Sequence, residues 1–320
     1  MKKKIAFLAP ENKGGPYYIY KDIVEGLKEK YGKEIDVYFF NSKKDWLKLH
    51  FANYDFIFSV IPFLFKPIRI KKYFYNLHGN FEIEKKRKGI GNKLLYLARW
   101  NLKICDKIIL TSYFLADKLN FKDKYKNKIE ILPNFVEETN YIRPKKNFKK
   151  NDKIKLLTVS STKFFEKGMG IVDLGKEVVK IKDRNIEWTI IAGGDQDNMK
   201  KIQKEFYKIK FSKNIKIKRL NWVKKDKLKE YYKKNDIFIY GTRLDTWGNT
   251  IMEAMSYGLP IILLKYDLWQ YIYSYDFIDN NLNKKIKHIL YNYNNYSKKS
   301  LDFIIPFYKR KILKKIFKIL

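Results

Sequence analysis

The sequence predicts an α/β protein with two doubly wound, Rossmann-like domains. Short apolar strands alternate with helical segments in two successive series, and most of the strands end in glycine or polar turns. This pattern is typical of parallel sheets that helices cover on both faces. The chain has 320 residues, which is enough for two cores of ordinary size.

Six strand candidates form the first series and five form the second. The first series comprises residues 4–10, 34–40, 54–61, 73–79, 107–112 and 128–134, and the second comprises 154–161, 186–194, 214–223, 236–242 and 259–265. Helical periodicity marks 16–30, 170–181, 197–208 and 226–235. In open α/β sheets ligands bind beyond the carboxyl ends of the strands, so we expect the site in a cleft between the two domains.

A charged stretch that contains a proline separates the two series and predicts a linker. It has the sequence YIRPKKNFKKNDK and spans residues 141–153. We therefore expect a first domain at 1–145, a second domain at 146–300 and a C-terminal amphipathic helix at 301–320.

Composition argues against disorder and against an exported or membrane-spanning chain. Hydrophobic residues make up 45% of the sequence and aromatic residues 17%, which disfavours long disordered regions. The single cysteine, Cys105, excludes an intramolecular disulfide and fits a reducing compartment. The apolar run at 56–65 is too short to cross a bilayer. We expect a cytoplasmic protein, either soluble or peripheral on the inner face of the membrane.

The net charge of +35 has two explanations that the sequence leaves open. An excess of Lys and Arg favours polyanionic partners such as nucleic acid, anionic lipid or phosphorylated substrates. The chain is also rich in Lys, Ile, Asn and Tyr throughout, as a compositional bias of the genome would produce. No recognition motif for nucleic acid accompanies the charge, so no nucleic-acid partner is expected.

Two apparent ligand motifs are better explained as ordinary structure. GIVDLGKE at 170–177 has the spacing of a phosphate loop but lacks its Ser or Thr, and it lies inside a predicted helix. Asp195 and Asp197 could hold a metal, although an acidic N-cap after Gly193 and Gly194 explains them equally well. The three histidines are too scattered for a zinc site, and no metal is expected.

The stretch YGTRLDTWGNTIMEAMSYGLPII at 240–262 carries the strongest functional signal. A strand leads into a turn at Gly248, where the backbone can approach a ligand closely. The helix that begins near Asn249 or Thr250 presents unpaired N–H groups to an anion. Glu253 in its first turns could bond hydroxyl groups beside a bound phosphate. The alternative is a plain amphipathic helix whose glutamate complements the helix dipole.

This stretch resembles the E-x7-E region of GT-B retaining glycosyltransferases, family GT4. The match runs from Asp245 to Glu253 and continues through AMSYGLP, and six further segments match motifs of that family in order from the N-terminus. They are 11–30 (the Gly-Gly loop and first helix), 76–79 (NLHG), 131–144 (ILPN), 158–179 (FEKG), 188–196 (IAGG) and 220–242. The resemblance covers about residues 4 to 265. It implies that the N-terminal domain at 1–145 binds the acceptor, that the domain at 146–300 binds the nucleotide sugar, and that the amphipathic helix at 301–320 returns to the N-terminal domain.

The resemblance implies a role for each matching residue. Glu253 would hold the ribose hydroxyls, Asp245 would contact the donor sugar, and Lys167 would neutralise the diphosphate. His78 would lie near the anomeric carbon, although a histidine packed at a strand end is the alternative. The resemblance further implies donor binding by Trp247, Gly248, Asn249, Thr250, Lys163 and Gly193, and an acceptor and diphosphate loop at Gly14 and Gly15.

Three departures from the family pattern stand out. The first acid is an aspartate, one methylene shorter than the usual glutamate. The usual arginine is absent, since Ser161 and Thr162 occupy its region, and Lys163 is a point charge rather than a fork. After LLKYDLWQYI the usual glycine-rich segments are not recognisable.

The C-terminal stretch FYKRKILKKIFKIL at 307–320 has an apolar stripe and a lysine face. Such a helix can lie on an anionic membrane, or it can return to the N-terminal domain as GT-B proteins commonly do. Further cations at Lys66, Arg69, Lys71 and Lys72 make the N-terminal domain basic, and so do those at 85–88. An anionic membrane surface is therefore an expected partner.

The expected function is transfer of a hexose-type sugar from a nucleoside-diphosphate sugar to a glycan or lipid-linked acceptor. No cofactor is expected apart from that donor substrate. Two alternatives remain: a catalytically idle GT-B sugar-nucleotide-binding or scaffold protein, and a nucleic-acid-binding protein. The aspartate at 245 and the missing arginine motivate the first, and the net charge motivates the second.

Overall fold

The computed structural model describes residues 2–11, 15–77, 92–118 and 124–320. The chain divides into two compact units. Unit 1 comprises Met1–Asn134 together with Arg310–Leu320, and unit 2 comprises Phe135–Lys309. No helix in the described ranges is long and apolar enough to cross a bilayer.

Unit 1 is built on a parallel sheet whose six described strands are ordered β2-β1-β3-β4-β5-β6. The strands are β1 (Lys3–Leu8), β2 (Ile35–Phe40), β3 (Tyr54–Ser59), β4 (Ile70–Leu77), β5 (Lys107–Leu110) and β6 (Ile129–Ile131). The helices are α1 (Gly15–Tyr31), α2 (Lys43–Phe51), α3 (Asn92–Ile104) and α4 (Tyr113–Lys118). The central strands bury every side chain from Ile5, Phe56 and Tyr73 to their C-terminal ends, as parallel strands covered on both faces do.

Unit 2 repeats this plan with a five-stranded parallel sheet ordered β11-β10-β7-β8-β9. Its strands are β7 (Lys153–Ser161), β8 (Asn185–Gly193), β9 (Ile215–Leu220), β10 (Ile237–Tyr240) and β11 (Ile261–Leu263). Its helices are α5 (Phe165–Val178), α6 (Gln196–Tyr207), α7 (Lys225–Lys234), α8 (Asn249–Ser256), α9 (Leu282–Tyr291) and α10 (Tyr293–Ile304). The α/β class predicted from the alternation is confirmed.

The C-terminal helix α11 (Lys309–Ile319) belongs almost entirely to unit 1. It buries Ile312, Leu313 and Ile316, and the Phe317 ring stacks on Tyr31 at a centroid distance of 4.0 Å. The predicted apolar stripe of this helix is therefore used for packing within unit 1. Packing of this stripe within unit 1 is what the return-helix alternative predicts.

The stretch predicted as a linker at 141–153 lies inside unit 2, which begins at Phe135. Arg143 is buried there, and its guanidinium donates hydrogen bonds to the carbonyl oxygens of Tyr257, Asn235 and Tyr232. Because these bonds anchor the stretch, its charge and proline do not mark a boundary. The bounds of the units thus differ from the predicted boundary at 145 and from the predicted start of the tail at 301.

Candidate active site

Three adjacent strands of unit 2 bring the predicted donor-binding residues to one edge of the sheet. Strand β7 lies between β8 and β10, and all three are parallel. The segments that follow them, at 162–167, 194–195 and 241–248, therefore begin side by side at the carboxyl edge. In open α/β sheets this edge is where ligands bind.

Helix α5 packs on the end of β10 without any side chain between the two backbones. A Cβ atom placed on Gly170 would lie 1.9 Å from the carbonyl oxygen of Gly241, so only glycine fits there. Arg243 adds a bidentate ion pair with Asp173 of the same helix, at 2.7 and 2.8 Å. These contacts fix the turn after β10 against the first turns of α5.

That packing places Lys167, in the first turn of α5, against Asp245 in the turn after β10. The Lys167 ammonium lies 2.8 Å from Asp245 Oδ2, and the two side chains are 23% and 10% exposed. The Tyr240 hydroxyl donates to the same oxygen at 3.0 Å. The structure therefore joins two of the three predicted catalytic residues in one nearly buried ion pair.

The other oxygen of Asp245 closes the turn. Asp245 Oδ1 accepts hydrogen bonds from the backbone N–H groups of Thr246, Trp247 and Gly248, at 2.8, 3.3 and 3.3 Å. A short acidic side chain that accepts from the next residues is a common turn motif. Two amides predicted to contact the donor, those of Trp247 and Gly248, are thus bonded to the aspartate.

The ion pair shifts the pKa of both Lys167 and Asp245 toward the charged form. Burial alone would raise the pKa of Asp245, but the Lys167 ammonium and the backbone donors outweigh it and lower that pKa. Burial would likewise lower the pKa of Lys167, and the attraction of Asp245 outweighs this and raises it. Both side chains are therefore charged at neutral pH.

Helix α8 begins immediately after this turn. Gly248 adopts the left-handed region, with φ of +82°, which L-residues with side chains rarely adopt. Thr250 donates its hydroxyl to the carbonyl oxygen of Val159, at 3.2 Å, and so ties the helix start to the end of β7. The Trp247 side chain is buried against Phe307, and its carbonyl oxygen accepts a hydrogen bond from the Tyr273 hydroxyl at 3.1 Å.

Glu253 lies one turn into α8. Its Oε2 accepts a hydrogen bond from the Tyr232 hydroxyl of α7, at 2.9 Å. Burial raises the pKa of Glu253, and the bond from Tyr232 only partly opposes that effect. The carboxylate is therefore held in a fixed direction by a neutral donor, and no cation among the described residues lies within ion-pair distance of it. Such a group readily accepts hydroxyl donors from a ligand.

Lys163 and Gly193 lie at the same edge, after β7 and at the end of β8. Lys163 is exposed, and its backbone meets Gly194, whose φ of +144° requires glycine. Asp195 caps α6 by accepting from the Asn198 N–H at 2.9 Å. The N-cap explanation of the acidic pair after β8 is thus confirmed.

Three of the predicted site residues lie outside the described residues or at their edge. His78 and Gly14 lie outside the described residues, and Gly15 is the first residue of α1. Within the described ranges, no group of three His, Cys, Asp or Glu side chains is arranged to hold a metal ion.

Sequence reasoning missed two tyrosines that orient the acids. Tyr240 bonds Asp245 and Tyr232 bonds Glu253, yet each lies in a segment that reads as ordinary strand or helix. One signal was available for Tyr240, because a polar hydroxyl at the end of the buried strand IFIY needs a nearby acceptor.

The comparisons with known proteins agree with this geometry. Residues 141–272 match the model of the family "Glycosyl transferases group 1". A curated relative, an uncharacterized 41.2 kDa protein in the cps region of Klebsiella pneumoniae, is 29% identical over 233 residues, which cover 69% of this chain. The chain spans 60% of the length of that relative.

Two solved structures share the fold over almost the whole chain. HepE of Anabaena, in complex with UDP and glucose, has a TM-score of 0.68 at 13% identity, covering 99% of both chains. The lipopolysaccharide outer core galactosyltransferase WaaB, in its apo form, has a TM-score of 0.65 at 14% identity, covering 99% of this chain and 100% of that one. The chain therefore has the GT-B fold, and residues 141–272 of its second unit are similar to the group 1 glycosyl transferases.

Proposed function

We propose that this protein is a retaining glycosyltransferase of the GT4 type. It would move a hexose-type sugar from a nucleoside-diphosphate sugar to a glycan or lipid-linked acceptor, at the cytoplasmic face of a membrane. The observation that carries the proposal is one edge of the unit 2 sheet, where Lys167, the Gly248 turn and Glu253 lie within the family-matched segment.

Lys167 and the start of α8 supply the charge that a diphosphate leaving group needs. Asp245 orients the ammonium and holds it charged, and the helix start offers N–H groups and the positive end of its dipole. Preorganised donors of this kind stabilise charge as it develops in the transition state. Fixed cations and amides would do this without a metal ion, so we expect activity to survive treatment with EDTA.

Glu253 is the proposed partner of the ribose hydroxyls. Its carboxylate accepts one hydrogen bond from Tyr232, and its remaining lone pairs can accept two further hydroxyl donors. Asp245 contributes differently, because its oxygens already accept from Tyr240, Lys167 and the turn. Its primary role is to position Lys167 and the turn, and direct contact with the donor sugar stays a prediction.

The sugar and the acceptor are suggested by the similar proteins. HepE was solved with UDP and glucose, and WaaB is described as a lipopolysaccharide galactosyltransferase. The curated relative belongs to a cps region. These descriptions favour a UDP-hexose donor and an acceptor of the glycan or lipid-linked class.

A catalytically idle sugar-nucleotide-binding protein is the second candidate. The same Asp245 geometry favours it, because a carboxylate committed to its own turn has little capacity left for the donor sugar. Ser161 and Thr162 at the usual arginine region reduce the positive charge further.

A donor panel followed by a hydrolysis assay tests the proposal. Thermal unfolding would be measured with UDP-, GDP-, ADP- and CMP-sugars, and release of free sugar from the stabilising donor would be followed with and without EDTA. We expect stabilisation by UDP-glucose or UDP-galactose, and hydrolysis well above that of Glu253→Ala. Glu230→Ala, an exposed change on α7, is the matched control.

Stabilisation without hydrolysis or transfer above the Glu253→Ala level would favour the idle protein. The absence of stabilisation by every donor would contradict both candidates.

A further inference from the structure

The carboxylate of Asp245 is surrounded by more hydrogen-bond donors than it needs. In the described part of the chain, Oδ1 accepts from the three backbone N–H groups at 246–248, and Oδ2 accepts from Tyr240 and Lys167. A carboxylate offers about four lone-pair sites. The neutral donors alone, three amides and one hydroxyl, are enough to fill these sites. The aspartate can therefore stay bonded when the lysine is not beside it.

The Tyr240 hydroxyl shares one oxygen of the aspartate with the lysine. It donates to Asp245 Oδ2 at 3.0 Å, and the Lys167 ammonium lies 2.8 Å from the same atom. Burial raises the pKa of Tyr240, so the hydroxyl keeps its proton at neutral pH. The ring is fully buried and packs against Phe238 and Trp269, at centroid distances of 6.0 and 5.9 Å. This packing fixes the hydroxyl in place.

Lys167 has more freedom than the two groups that it contacts. Its side chain is 23% exposed, against 10% for Asp245, and Tyr240 is fully buried. A lysine ammonium also lies at the end of a flexible four-carbon stem. The lysine is therefore the member of this cluster that can turn toward a ligand.

A diphosphate gains most from Lys167 when the ion pair opens. The two opposite charges lie 2.8 Å apart, so at a distance they nearly cancel. The closed pair would attract an anion only weakly, and the carboxylate would repel it. The ammonium offers its full charge once it turns away from Asp245.

We propose that Tyr240 is a positioning residue that lets Lys167 exchange Asp245 for the diphosphate of the donor. As the ammonium turns away, the tyrosine hydroxyl and the turn amides keep the aspartate bonded, so no buried acceptor is left unpaired. This inference rests on the proposed function, in which the diphosphate is the ligand of Lys167. The effect of Tyr240 should be confined to that part of the donor.

Tyr240→Phe tests the proposal, because it removes only the hydroxyl. Asp245 Oδ2 would then lose its remaining donor whenever Lys167 turned away, so the ion pair should stay closed. We expect UDP to bind about tenfold more weakly by titration calorimetry. Uridine carries no phosphate, so its affinity, followed by ligand-observed NMR, should be unchanged. A side chain that only supported the fold would weaken both ligands alike.

Two further variants show whether Tyr240 acts through Lys167. In a Lys167→Met background, Tyr240→Phe should leave the UDP affinity unchanged, because there is no ion pair left to open. Tyr232→Phe removes a buried hydroxyl from the proposed ribose end of the site instead. It should weaken UDP and uridine by the same factor.

Tyr293→Phe is the matched control. This tyrosine is also buried in unit 2, and its hydroxyl donates to the carbonyl oxygen of Asp236 at 3.0 Å, just before β10 begins. The bond lies at the amino end of the strand, away from the carboxyl edge, so both affinities should match those of the unchanged protein. Thermal unfolding of every variant sets a titration temperature at which all of them are folded.

The outcomes separate this inference from the proposed function. Equal losses of UDP and uridine affinity in Tyr240→Phe, or no loss of either, would overturn the inference while UDP binding by the unchanged protein still supported the proposed function. A further loss when Tyr240→Phe is added to Lys167→Met would also overturn it. No binding of UDP by the unchanged protein would overturn the proposed function and this inference together.

Discussion

Asp245 shows how the loss of one methylene can change the role of an acid. Its short side chain reaches back to the amides of Thr246, Trp247 and Gly248, while its second oxygen holds Lys167 and Tyr240. A glutamate would place its carboxylate farther from the turn. The sequence departure at this position therefore corresponds to a positioning role.

Asp245→Asn should lower the free energy of unfolding by about 3 kcal/mol, because it leaves the Lys167 ammonium unpaired in a nearly buried place. The asparagine oxygen can still accept from the turn, so the effect reports the loss of the ion pair together with the hydrogen bond from Tyr240. Urea unfolding at neutral pH measures it. The double variant Asp245→Asn/Lys167→Met should lose clearly less than the two single losses combined.

The pH range of this effect follows from the two pKa shifts. The lowered pKa of Asp245 makes the pair's contribution present above the unfolded-state value of about 3.9, and it is lost as the pH falls through the lower folded value. The raised pKa of Lys167 makes the contribution present below about 10.4, and it is lost as the pH rises through the higher folded value. Additive losses in the double variant, or a strong pH dependence between about 5 and 9, would contradict the assignment.

Glu253→Gln should weaken the binding of UDP without lowering the stability of the fold at neutral pH. The folded state raises the pKa of Glu253, so it holds the proton more tightly than the unfolded chain. The free energy of unfolding should therefore fall as the pH rises from about 4.3 through the higher folded value, and glutamine should remove this fall. UDP affinity should drop about tenfold, since a charged acceptor is lost.

Thermal unfolding across that pH range, with titration calorimetry of UDP, measures both effects. At neutral pH the Gln variant should be at least as stable as the unchanged protein. Unchanged UDP affinity would show that Glu253 does not contact the nucleotide.

At the scale of elements, the contact between α5 and β10 sets the position of Lys167. Gly170→Ala would place a methyl group 1.9 Å from the Gly241 carbonyl oxygen, where only backbone can give way. We expect a loss of about 3 kcal/mol in unfolding free energy, together with weaker donor binding.

Gly168→Ala in the same helix is the control. Its methyl group would meet the end of the flexible Ile202 side chain, which can rotate away. Alanine also favours the helix by about 1 kcal/mol at both positions, so the difference between the two variants isolates the backbone contact. Urea unfolding gives the free energy of unfolding of both variants. Equal losses would show that the close contact between Gly170 and Gly241 adds no cost of its own.

At the scale of the whole molecule, the sequence predicts the strands well because buried parallel strands are nearly continuous apolar runs. Helix α2 was not predicted, since Leu47 and Phe51 on its exposed side disturb the helical pattern of apolar residues. The roles of Tyr232 and Tyr240 depend on which strands and helices become neighbours, and one sequence does not show this. Glu253 and Lys167 were predicted as site residues because they lie within recognisable motifs.

The bounds of unit 2 give a prediction at this scale. A fragment of residues 135–309 should unfold cooperatively, whereas a fragment starting at the predicted boundary, 146–309, lacks Arg143 and its bonds to three carbonyl oxygens. The shorter fragment should lose about 3 kcal/mol. Urea unfolding of both fragments, and of full-length Arg143→Met, measures this. Equal stability of the two fragments would contradict this prediction and would favour a domain boundary within the charged stretch at 141–153.

The exposed side of α2, which carries Leu47 and Phe51, makes the solubility of the protein depend on salt. Exposed rings and aliphatic side chains attract one another between molecules, and at low ionic strength the repulsion among +35 chains keeps them apart. The screening length falls from about 30 Å at 0.01 M salt to about 8 Å at 0.15 M. Solubility should therefore decrease as salt is added, and concentrated stocks should stay clearer in dilute buffer than in saline.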